Sequence, residues 1–341
     1  MPVYDNRIKI KSYPQFDIAK IFMAIFVVAI HTRPFEGISG LKADLCEAIV
    51  RLAVPLFFLI SGFLLEEKCK TQQNTKEQSN AILKYIIKTV RLYIIWTIIY
   101  LPIAVLNFYW QDASLFGAVF TYIRKFVFIG EQFYSYQLWY LLSTIYGLLA
   151  ILLFRNRVKD VVWFVVSIVV ILISQMFEDI SISSSAAVMN IQKITTLVVG
   201  EGRVLSGFFY LSMGMLISRN SHKEKQWIPG VIALVSFIMG VITKLWIFAV
   251  ISRICCFVLL KNLNINIKTD IPSKLRKIST DIYFWHMWIF FVLYLLNGKQ
   301  HAYGIKGFII TAISALLISV LQSKLKIKFK NQNLNKSIKE A

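Results

Sequence analysis

Ten blocks of apolar residues, each near the length a helix needs to cross a bilayer, divide this chain and leave short charged stretches between them. A helix rises about 1.5 Å per residue, so about 20 residues cross a hydrocarbon core about 30 Å thick. Windows of this kind fall near residues 16–32, 45–65, 82–107, 136–154, 160–177, 204–218, 227–243, 244–260, 279–297 and 303–323. In lipid, every backbone N–H and C=O must be satisfied within the protein, which leaves only helices and closed barrels. The blocks are continuous and lack the alternating pattern of barrel strands, so they predict helices. The expected fold is therefore all-α, a polytopic transmembrane helix bundle. The charged fraction is 16%, with mean hydropathy +0.62. A soluble globule carries about 25% charged residues, so that class is excluded. Fifteen residues precede the first block, Lys20 interrupts it, and no small-residue cleavage site follows, so it is expected to remain as the first span.

Orientation follows from the basic residues, because Lys and Arg accumulate on the cytoplasmic side. With the N-terminus inside, 26 Lys and Arg fall on the inner side and 11 on the outer side, with Lys20 within the first span. This predicts about ten helices with both termini cytoplasmic, in the cytoplasmic membrane. Residues 1–323 are read as the transmembrane domain and 324–341 as a basic cytoplasmic tail, irregular and close to anionic lipid headgroups. Within 108–135, Phe116, Val119, Phe120, Ile123 and Val127 recur at helical spacing, which suggests an interfacial or re-entrant helix. Residues 178–203 are small and polar and read as an outer loop. The net charge of +20 is accounted for by topology, so nucleic acid is not an expected partner. Cys46, Cys69, Cys255 and Cys256 lack metal-ligand spacing, and no metal is expected.

Ionisable residues inside spans point to a site, because stranding one at a helix centre costs on the order of 2.5–3.5 kcal/mol. Lys20 and His31 lie about 20° apart around the first helix and about 16 Å apart along it. Asp17, three residues before Lys20, either neutralises it or leaves it to bind an anion. His31, near the outer end, has the chemistry of a general base or acyl carrier. The second span opens with Glu47 and Arg51 and continues RLAVPLFFLISGFLL, with Pro55 inside the helix. Glu47 could orient His31 while Arg51 stabilises an oxyanion, or the two could satisfy each other. Lys88-x-x-Arg91, with Lys84, places cations at the inner end of the third span, as a phosphate grip or as a topological anchor. Arg253 and His286 fall within the eighth and ninth spans and suggest a polar cavity, or each other as partners.

Taken in order, Lys20-x10-His31, RLAVPLFFLISGFLL, Lys88-x-x-Arg91, QLWYLLSTIYG and IYFWHMW resemble the acyltransferase-3 family of integral membrane acyltransferases over nearly the whole chain. The family pattern has arginine where Lys20 and Lys88 stand, which keeps charge but loses the bidentate fork. VAIHTRP, RLAVPLFFLISGF and QLWYLLSTIYG are especially similar to the membrane portion of membrane-bound serine racemases of vancomycin resistance, to which serine uptake is ascribed. This chain ends where those proteins continue into a racemase domain, so the resemblance places its chemistry within the bundle or shared with a separate soluble partner.

The resemblance implies an integral membrane O-acyltransferase. It would move an acyl group, in the first place acetyl, from cytoplasmic acyl-CoA to a hydroxyl of a cell-envelope glycan or similar acceptor. Lys20, Lys88 and Arg91 would hold the donor's phosphates, and His31, Glu47 and Arg51 would act on the acyl group. Asp17, Arg253 and His286 would line the cavity. The alternative is a membrane carrier for a small amino acid such as L-serine, using the same residues as a midplane site.

Overall fold

The computed structural model describes residues 12–182, 192, 193, 195, 197, 202–220, 227–265, 267 and 269–340, with the backbone alone for 181, 182 and 325–340. Every regular element among the described residues is helical. The α-helices are α1 Pro14–Thr32, α2 Leu41–Val50, α3 Ala53–Lys70, α4 Thr75–Trp110, α5 Leu115–Arg124, α6 Trp139–Phe154, α7 Asp160–Ile182, α8 Arg203–Arg219, α9 Trp227–Thr243, α10 Trp246–Asn262, α11 Ile271–Leu296 and α12 Ile305–Glu340. Seven stretches among the described residues are long and apolar enough to cross a membrane, so the chain is an all-α, multi-pass membrane protein.

The helices depart from the sequence expectations in the second span, at the start of the expected outer loop and in the tail. The span expected at 45–65 is interrupted by a turn at Arg51 and Leu52, where Leu52 N–H bonds Ile49 O and α3 starts afresh at Ala53. Pro55 then lies in the first turn of α3 and not in a helix interior, where its missing N–H costs no intrahelical bond. The outer loop expected at 178–203 lies mostly outside the described residues, and its first part belongs to α7. Residues 115–124 are helical as expected, continue into a π turn at Lys125–Ile129, and bury no side chain. The tail is not irregular: α12 continues through it to Glu340, in a stretch with no Gly or Pro to stop a helix.

The described residues form two compact units, one from 14–53 and 264–341 and the other from 54–263 with Tyr13. In the first, α11 and α12 run antiparallel, joined by Lys277 Nζ to Ser323 Oγ at 2.8 Å and Ser319 Oγ to Asp281 Oδ2 at 2.9 Å. α1 packs on both, and the shared interior is Ala24, Val28, Ile282 and Ala315. Small residues let helices approach closely, which is the main source of attraction between helices in lipid. The turn after α11 is tied to the end of α1 by Gly304 N–H to Thr32 O at 2.9 Å.

His301, in that turn, stacks on Tyr303 at 4.8 Å, and the Arg33 guanidinium lies 4.7 Å over the same Tyr303 ring. Burial, and then the charge of Arg33, hold the His301 imidazole below its usual range. The folded protein thus favours neutral His301, and the unfolded chain takes up its proton first. This contribution to stability is fully present above about pH 6.5 and is lost as pH falls through and below that value. The melting temperature of His301→Gln should therefore fall less steeply from pH 7 to pH 5 than that of the parent protein.

In the second unit, α3 and α8 meet through glycine. A Cβ on Gly62 would stand 1.9 Å from Leu211 O, and one on Gly214 would stand 2.1 Å from Leu59 O. Backbone cannot yield as a flexible side chain can, so Gly62→Ala must push the helices apart and should cost about 1–3 kcal/mol. Gly230→Ala meets only Leu259 Cδ2, at 3.7 Å, and should leave the melting temperature of the detergent-solubilised protein near that of the parent.

One end of this unit holds a buried ionic network. Arg155 grips Glu66 with two bonds, Nε to Oε2 at 3.0 Å and Nη2 to Oε1 at 2.7 Å, and donates from Nη1 to Gln78 Oε1 at 2.6 Å. Arg219 Nε lies 3.2 Å from Glu66 Oε1, and its Nη1 meets Asp160. Next to it, Glu67 accepts from Tyr13, Lys70 and Ser218.

Candidate functional site

α1 presents Asp17, Lys20 and His31 along one unbroken helix. At its start, Asp17 Oδ1 lies 3.4 Å from Lys20 Nζ and 3.4 Å from Arg276 Nε on α11. One carboxylate faces two cations, so this end keeps net positive charge while Lys20 is paired. Arg276 was not singled out in the sequence, where it looks like one more basic residue flanking a span.

At the other end of α1, the His31 ring centroid lies 5.4 Å from that of His286 on α11. His286 is fully buried, with Nδ1 3.2 Å from Ile282 O one helical turn back. A carbonyl oxygen can only accept, so Nδ1 carries the proton and Nε2 presents a lone pair. That Nε2 is buried and has no hydrogen-bond partner. An unsatisfied buried nitrogen costs about 1–3 kcal/mol, and such a cost is characteristic of functional sites. The bare Nε2 can accept a proton from a donor that reaches it.

The sequence placed Lys20 and His31 on one face of the first helix. In the structure Ala24, Val27 and Val28 occupy the same stripe of α1 between them and are buried. The expectation took account of helical phase but not of what α11 and α12 pack into the stripe. The cationic end and the histidine end are separate features of the unit.

The remaining predicted residues are arranged as follows. Glu47 Oε1 accepts from Arg51 Nε at 2.8 Å and lies 2.5 Å from Arg51 Nη2, with both side chains more than half exposed. Lys88 and Arg91 lie on the exposed stripe of α4 with Lys84, Ile95 and Ile98, opposite the buried Ile82, Ile86, Thr89 and Tyr93. Arg253 Nη1 donates to Tyr210 OH at 3.0 Å, on α8 of its own unit, while His286 is beside His31. The sequence missed the Glu66–Arg155 contact altogether, because 89 residues separate its partners.

The Acyl_transf_3 family model, described as an acyltransferase domain, matches residues 13–323. The chain belongs to this family. It is also similar to an amino-acid racemase of Enterococcus faecalis, 32% identical over 142 residues, which are 41% of this chain and 19% of that protein. A serine/alanine racemase of Enterococcus gallinarum is 30% identical over 159 residues, 46% of this chain and 21% of that protein. The matched segments thus cover about a fifth of the length of these relatives. No solved structure matches the chain.

Proposed function

We propose that the protein is a membrane O-acyltransferase that takes an acyl group, in the first place acetyl, from cytoplasmic acyl-CoA and delivers it to a hydroxyl of an envelope glycan or similar acceptor. The observation that carries this reading is the His31–His286 pair in a chain of the acyltransferase-3 family. His31 acts as general base or transient acyl carrier, and His286, through its bare Nε2, holds or relays the proton. Lys20, Lys88 and Arg91 supply positive charge for the donor's phosphates, with Arg276 added at the Asp17 end. The acyl group reaches His31 by a route outside the packed layer of Ala24, Val28, Ile282 and Ala315. Arg51 and Glu47 serve the site as an ion pair, and a separate soluble protein completes transfer if the acceptor lies away from the membrane. The reaction needs no metal.

We also propose ten spans, with both ends at the cytoplasmic face of the cell membrane. Asp17 meets Arg276 and His31 meets His286, so α1 and α11 run parallel. Parallel spans have an odd number of spans between them, whereas among the described residues the stretches between α1 and α11 that are long enough to cross number four. Crossing by an odd number of the 17-residue helices α8, α9 and α10 would satisfy this parity, and all three crossing gives ten. Seventeen residues is the lower limit for a span.

The test is radiolabelled acetyl-CoA with the purified chain in nanodiscs. Loss of label from the thioester, and its appearance on protein or on added envelope glycan, supports the reading. An intact thioester under all conditions overturns it. The second reading is a carrier for a small amino acid such as L-serine, and the relatives' name, serine/alanine racemase, does not decide between the two. Serine accumulation in proteoliposomes without acyl-CoA would establish that reading instead.

A further inference from the structure

A second polar site lies in the 54–263 unit, where the loop after the π turn folds against α4. Gly130 ends that turn in the left-handed region, at φ 82, and Tyr134 repeats the conformation at φ 55. A Cβ on Gly130 would stand 2.7 Å from Trp139 Cα, so only glycine lets the loop close down here. Backbone held in this way is concentrated at ligand sites. The loop and α4 enclose a cavity of about 240 Å³, counting its open mouth, lined by Tyr93, Thr97, Tyr100, Glu131, Gln132 and Ser135 among others. The room inside it is about that of a single water molecule.

The lining has the hydrogen-bonding pattern of an alcohol receptor. Thr97 is 9% exposed, and its Oγ1 is buried without a hydrogen-bond partner. Gln132 turns Nε2 to Tyr122 O at 2.9 Å, which leaves Oε1 as an acceptor. Ser135 Oγ accepts from Gln132 N–H at 3.0 Å and keeps its own proton to donate. A hydroxyl between them can donate to Gln132 and accept from Thr97 or Ser135. Glu131 has Arg203 Nη1 3.7 Å from its Oε2, so its charge is balanced and the site does not demand a cation. The tyrosine rings suit the C–H face of the carbon bearing that hydroxyl, and the space inside is too small for a whole sugar ring.

We propose that this cavity seats the hydroxymethyl group of a small polar ligand. Two sources share that chemistry: the primary alcohol of a hexose and the side chain of serine. Naming the ligand as the acyl acceptor rests on the acyltransferase reading, whereas the binding site itself does not.

The experiment is saturation-transfer NMR on the full chain in nanodiscs, with methyl β-glucoside and L-serine as separate probes. Methyl β-xyloside and L-alanine, which lack the hydroxymethyl oxygen, serve as their controls. At least one probe should bind about tenfold more tightly than its control, which is the size of one buried hydrogen bond. Thr97→Val and Gln132→Leu should each weaken that probe about tenfold, and Thr97→Ser, which keeps the hydroxyl, should restore it. Binding of neither probe, equal binding of probe and control, or an unaffected Thr97→Val would overturn the proposal. Binding that follows this pattern in a protein that leaves acetyl-CoA intact would retain the site and remove the acyltransferase reading. The probe that binds distinguishes glycan from amino acid.

Discussion

Replacing His31 with alanine should lower acyl transfer by about two to four orders of magnitude, the usual contribution of a positioned general base, on the proposed reading. The residue is half-buried at the end of α1, so alanine removes an imidazole without opening a deep void. The melting temperature should therefore stay near that of the parent, which separates lost chemistry from lost folding. Single-turnover measurements with labelled acetyl-CoA would locate the defect. If His31 is the acyl carrier, no label reaches the protein. If it is the base of a direct transfer, the parent carries no label on the protein either, and the variant leaves the thioester intact. Unchanged transfer in the alanine variant would remove His31 from the mechanism and leave the His286 Nε2 lone pair without the partner that the reading assigns to it.

Glu66→Ala should be the most destabilising single change outside the apolar core, at about 3–5 kcal/mol. Glu66 and Arg155 are both buried, and the carboxylate is the counter-charge for Arg155 and Arg219 together. Truncating it leaves guanidinium groups in a low-dielectric site, with Gln78, Asn156 and Asp160 as their remaining partners. Glu66→Gln preserves shape and some hydrogen bonding and should fall between parent and alanine. The double variant Glu66→Leu/Arg155→Leu tests the origin of the loss, because it removes the most deeply buried guanidinium with its carboxylate and leaves Arg219 with Asp160 as counter-charge. It should be closer to the parent than Glu66→Ala is, and the coupling in that cycle reads the contact directly. Thermal unfolding of the solubilised protein provides the measurement. A melting temperature for Glu66→Ala within a degree of the parent would show that water reaches the network.

Much of the scaffold was legible because hydrophobic length is a local property. The windows at 16–32, 136–154 and 227–243 correspond to α1, to the stretch from Tyr136 through α6, and to α9. The break at Arg51 and Leu52 was not legible, because hydropathy averages across a turn whose flanks are equally apolar. In the site, the phase of Lys20 and His31 followed from helix geometry alone. The approach of His286 to His31 did not, since it depends on α11 returning parallel to α1 after more than two hundred residues.

The amino-acid sequence alone determined that this is a helical membrane protein, that α1 carries two ionisable groups in register, and which motifs resemble a family of acyltransferases. The first two follow from composition and from spacing over one helix, where 3.6 residues per turn fixes which side chains share a face, and the resemblance rests on motifs spread over nearly the whole chain. Tertiary structure decided the partners: Asp17 with Arg276, His31 with His286, Glu66 with Arg155, and Thr97 with the loop after Gly130. The physical reason is range. Helical phase is set within a few residues, whereas each of these contacts joins elements far apart in the chain or separated by a turn whose direction hydropathy does not encode.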